Sequence, residues 1–152
     1  MHMAPGTSGI GVAIAVPIAI WILSYYTKIH DLYNFDPNGI PGAFEPFLAK
    51  YLKITEVIIG LATGSIVLLV GSSALHGQAG HLPWFYASPL YLLAFCVLYG
   101  LAFSVWLTFH YEDYQHRGRH TKAAYALCET LGFASLFCFV LGYLWLIYRV
   151  TS

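Results

Sequence analysis

Between Glu56 and Glu112 the sequence contains no Asp, Glu, Lys or Arg. Soluble chains carry charge at about 25% of positions, so a run of this length cannot wrap a domain that faces water. The rest of the chain agrees, with 9% charged and 59% hydrophobic residues among 152. So few polar groups cannot cover a surface, and the composition predicts an all-α, polytopic membrane protein built as one domain over residues 1–152. The seven basic and seven acidic residues balance. No basic footprint marks a nucleic-acid partner. The expected partners are the lipid bilayer, further copies of the chain, or other membrane subunits.

A helix needs about 20 apolar residues to cross the hydrocarbon core. Four stretches qualify, at residues 10–26, 57–75, 90–109 and 130–148, the first carrying Pro17. The segment HGQAGHLPWFYASP, with its Gly and Pro residues, breaks the uncharged run into a helical hairpin. Alternating ten-residue segments are absent, which argues against a membrane β-barrel. The start of the chain has no basic region before its apolar stretch and does not read as a signal peptide. Cys96, Cys128 and Cys138 sit in apolar stretches without CxxC spacing and read as small hydrophobes.

The basic residues set an orientation. Lys28, Lys50 and Lys53 precede the second span, Arg117, Arg119 and Lys122 precede the fourth, and only Arg149 falls at the opposite side. The positive-inside rule places loops 28–56 and 111–122 in the cytoplasm and both termini outside it. Within the first loop, Phe44, Phe47, Leu48, Tyr51 and Leu52 recur at helical spacing. They predict an amphipathic helix lying at the interface, or running straight into the second span.

Small residues let membrane helices approach closely. Gly60, Gly64 and Gly71 form a stripe on the second helix, with Gly100 on the third and Gly132 and Gly142 on the fourth. Two readings stand for them, packing within a four-helix bundle and contact between subunits.

Two segments have donor patterns that suit metals. Asn34, Asp36, Asn38 and Glu45 fall at positions 1, 3, 5 and 12 of a calcium-loop pattern, with Gly39 at position 6. The pattern departs from the family at Asn34, where Asp is expected, and at Pro37 and Pro41, so a plain Asp-Pro-Asn-Gly turn is the leading reading and the calcium loop the alternative. Past the third span, His110, Glu112, His116 and His120 form a second cluster. Glu112, His116 and His120 are spaced by four and would share a helical face suited to a transition metal. The alternative is a solvated polar cap. His30 lies on the same side as His110, which gives a bis-histidine haem only a remote basis, and no cofactor is predicted.

Glu129 is the one acid close to a span, and an intramembrane carboxylate is a functional candidate by default. It either points inward or reaches toward the interface near Lys122. No GxSxG, HExxH, P-loop or GxGxxG motif occurs, and no nucleophile stands beside a base, so no catalytic constellation is expected. The second helix, EVIIGLATGSIVLLVG, is similar to helices of small bacterial membrane effectors linked to defence systems. That likeness is confined to this stretch and implies no particular activity. The leading expectation is a self-associating, non-enzymatic membrane protein, channel-like or an effector, in ion or small-molecule transport. The runners-up are an accessory subunit of a larger membrane complex and a metal-dependent membrane enzyme.

Overall fold

The computed structural model describes residues 5–27, 35, 44–72, 86–117 and 122–151. It contains four helices in the order α1 (Pro5–Thr27), α2 (Glu45–Gly71), α3 (Ala87–Arg117) and α4 (Lys122–Thr151). Three are long and apolar enough to cross a membrane, over Glu45–Gly71, Ala87–His116 and Ala123–Thr151, while α1 contributes the shorter apolar helix Ser8–Ser24. Pro17 lies inside α1, which continues on both sides of it.

The helices exceed the apolar stretches that identify them. No Pro or Gly interrupts residues 47–59, so the amphipathic segment and the second span form one helix, with Pro46 in its first turn. This corrects the expectation of a separate interfacial helix. Its apolar residues Leu48, Tyr51 and Leu52 pack against buried Phe35, Phe44 and Tyr111 instead of lying flat. The expected loop boundaries change likewise, because residues 45–56 belong to α2 and residues 111–117 to α3. At 1.5 Å per residue α2 is about 40 Å long and α3 about 46 Å, more than a hydrocarbon core of about 30 Å.

Helices α3 and α4 form the most extensive pairing. Helix α1 packs on both of them, α2 packs mainly on α3, and α1 and α2 scarcely meet. On α2 the inward positions Thr55, Ala62 and Leu69 recur every seven residues and mark its packed stripe. The core has two parts. Phe35, Phe44, Phe103, Leu107, Tyr111 and Cys128 fill one end, and Ala13, Ala62, Leu92, Leu93, Cys96 and Cys138 fill the other. Between them the Ser135 hydroxyl donates to the Cys96 carbonyl at 2.9 Å, tying α4 to α3 where Gly100 leaves room. At the far end α1 and α3 touch almost backbone to backbone, since a Cβ on Gly9 would lie 2.6 Å from the Ser88 carbonyl oxygen.

Candidate functional site

Helix α4 starts at Lys122, so Glu129 lies about two turns inside it, not at its start. Its side chain points inward and is 4% exposed. The partner comes from α1, where Ser24 donates its hydroxyl to Glu129 Oε2 at 2.9 Å, both groups being buried. A carboxylate removed from water needs such donors, because an unsatisfied one costs several kcal/mol, roughly 2–7 even for neutral polar groups. The neighbouring hydroxyl of Thr130 is engaged elsewhere, donating to Ala126 O at 2.7 Å. Among the described residues the single salt bridge joins Lys53 to Glu56, so no described cation pairs with Glu129. The side chain of Lys122, the expected interfacial partner, lies outside the described residues.

One turn before Glu129, Tyr125 belongs to an aromatic cage that caps this end of the bundle. Phe35 fills the cage at 1% exposure. Its ring centroid lies 5.0 Å from that of Phe44, 5.5 Å from Tyr111, 5.7 Å from Tyr114 and 5.1 Å from Tyr125. These tilted and edge-on separations are the favoured aromatic geometry. The Phe35 amide also reaches the Tyr125 hydroxyl at 3.4 Å. Phe35 therefore meets the N-cap residue of α2, helix α3 and helix α4 with one side chain.

Of the predicted metal donors, His110, Glu112, His116 and Glu45 lie within the described residues. His110 lies within α3 and packs on Trp106, with ring centroids 4.4 Å apart and the ring planes tilted by 48°. Glu112 and His116 are exposed, and His116 Nδ1 sits 2.9 Å from the Glu112 carbonyl, a contact that assigns the ring proton to Nδ1. With Asp113 and Phe109 they line a surface depression of about 450 Å³. His120 lies outside the described residues, and among these no group of three His, Cys, Asp or Glu side chains gathers as a metal site. Asn34, Asp36 and Asn38 of the calcium pattern also lie outside them. Glu45 opens α2, where its Oε1 accepts from the Tyr111 hydroxyl at 3.4 Å.

The small-residue positions divide into two kinds. Gly100 is buried between Ile59 and Ser135, and Gly142 against Leu92 and Leu93. Gly132 lines a cleft between α2 and α4. By contrast Gly60, Gly64 and Gly71 face outward, with nothing within 4 Å of where a Cβ would stand. Packing within the bundle therefore runs through Ala62 and Leu69, not through that stripe. Sequence reasoning missed Ser24 and Phe35. A lone serine within IWILSYY was the only signal for the first, and nothing distinguished the second from its aromatic neighbours. The chain matches no protein-family model, no curated protein and no solved structure.

Proposed function

We propose that the chain is a non-enzymatic integral membrane protein that crosses the bilayer four times and self-associates through α2. Its assembly would pass an ion or small molecule, with Glu129 as the group the permeant meets. The membrane reading is supported by helices that are apolar all round yet bury only 17%, 33% and 28% of their most apolar windows inside the protein. Leu61, Val67, Leu68 and Leu144 are among the large apolar side chains left outside.

The observation that carries self-association is the open face of Gly60, Gly64 and Gly71. Glycine inside a helix costs about 1 kcal/mol relative to alanine, and close approach of another helix would offset that cost. Glu129 supports permeation, since a buried carboxylate is costly to keep where apolar residues would pack as well. The positive-inside rule orients the end bearing Glu45, Lys50, Lys53 and Arg117 toward the cytoplasm.

Mass measurement in native lipid tests the assembly. The wild type should be an oligomer of one chain, Gly64→Leu should weaken it, and Ile66→Leu, at a half-buried position packed against the core cluster of Ala62, Leu92 and Leu93, should leave it intact. A clean wild-type monomer would sink the reading. A single copy purified with other chains would favour an accessory subunit, whose partner helix would occupy the same open face.

A further inference from the structure

Glu129 and Ser24 are each 4% exposed, and the 2.9 Å bond between them joins α4 to α1. Among the described residues no other donor reaches the carboxylate. We propose that the species Glu129 carries is the proton, taken up on Oε1 while the Ser24 hydroxyl stays bonded to Oε2. The proposal rests on the permeation reading above and names its permeant.

Geometry rejects the larger candidates. Calcium takes about six to eight oxygen ligands and magnesium about six, and a monovalent ion needs oxygens in place of its water shell. Here one carboxylate meets one hydroxyl, and the two are bonded to each other. The adjoining Thr130 hydroxyl is held inside its own helix, donating to Ala126 O at 2.7 Å. A small organic molecule needs a pocket of roughly 300–1,000 Å³. Two side chains this deeply buried leave no such hollow beside them.

A proton needs neither shell nor pocket. Uptake forms one O–H bond and makes the carboxyl neutral, and release breaks that bond and restores the charge. Binding therefore removes the charge that an apolar interior penalises. No fixed cation competes for the site among the described residues. The described stretch of α1 has no charged residue, α3 has none before Glu112, and the other charges of α4 stand at its ends, Lys122 and Arg149. On α2, Lys53 pairs with Glu56, and Glu45 accepts from Tyr111. The His110 ring packs on Trp106, and Cys128 is buried with Phe103 and Leu107. Glu129 lies about two turns, roughly 10 Å, from the start of α4, so entry from that end is short.

Purified full-length protein in vesicles with a trapped pH dye tests this, a potassium carrier balancing the charge. An inward proton gradient should acidify wild-type vesicles, and Glu129→Gln should slow that acidification at least about tenfold. Tracer sodium flux should stay at the vesicle background. Dicyclohexylcarbodiimide, which adds to protonated carboxyls in apolar surroundings, gives a readout on the unaltered chain. It should add once, at Glu129, and stop the acidification, and sodium, potassium or calcium should not protect. Protection by one of those ions, or Glu129-dependent flux of it without acidification, would overturn the proton and keep permeation. Equal acidification by Glu129→Gln, or no adduct at Glu129, would overturn it as well. If Glu129→Gln fails to fold, the carbodiimide result on the wild type decides by itself. An oligomeric wild type that passes no species would instead overturn the permeation reading, which separates the two failures.

Discussion

At the scale of single residues, the same chemical group has opposite meanings according to what stands beside it. A Cβ on Gly9 would collide with the Ser88 backbone, whereas one on Gly60 would meet open space. Gly9→Ala should therefore destabilise the protein by about 1–3 kcal/mol through overpacking. Gly60→Ala should leave the fold as stable or slightly more so, by up to about 1 kcal/mol. Thermal unfolding in detergent compares the two. The Ser24–Glu129 pair supplies a second contrast. Ser24→Ala removes the hydroxyl that faces the buried carboxylate and should cost about 1.5–3 kcal/mol. Glu129→Gln keeps size and hydrogen bonding, so folding and assembly should persist while flux into vesicles falls. Wild-type flux in that variant would reduce Glu129 to a packing residue. Glu129 was legible in the sequence because an acid among apolar residues is conspicuous. Ser24 was not, because a helical serine usually satisfies itself locally and its partner here lies 105 residues away.

At the scale of elements, helix identity was legible and helix length was not. Hydropathy reports which residues suit hydrocarbon, while helix ends follow breakers and caps, so α2 and α3 extend well past their apolar windows into charged sequence. The exposed Lys53–Glu56 pair, at 2.9 Å, lies on that extension. Lys53→Ala should change stability by less than about 0.5 kcal/mol, since water and salt screen such a pair. Phe35 should matter far more. Phe35→Ala empties an aromatic cage and should cost about 3–5 kcal/mol, measured by thermal or denaturant unfolding. A cost below 1 kcal/mol, roughly that of a surface change, would mean that the cage closes without it. Periodicity could place Phe44 and Tyr51 on one face, but no local pattern announces a residue whose ring meets Phe44, α3 and α4 at once.

At the scale of the whole molecule, orientation is open to direct measurement because Cys96, Cys128 and Cys138 are all 0% exposed. Native thiols will be slow to label, so a cysteine placed at Gln115 can be read against a quiet background. It should react with an impermeant maleimide in intact cells only after the inner face is opened, and prompt labelling from outside would reverse the topology. The arrangement of the helices also has a consequence for synthesis. Helix α1 has scarcely any contact with α2, and its packing surfaces belong to α3 and α4. Ribosomes add about 5–20 residues per second, so Ser24 waits about 5–20 s for the carboxylate 105 residues behind it. Until then the face of α1 that α4 covers stays unsatisfied, open to membrane chaperones and quality-control proteases. A chain truncated before Lys122 should therefore be degraded faster than the full-length protein, and the age of the chain, not its sequence alone, decides when the bundle closes.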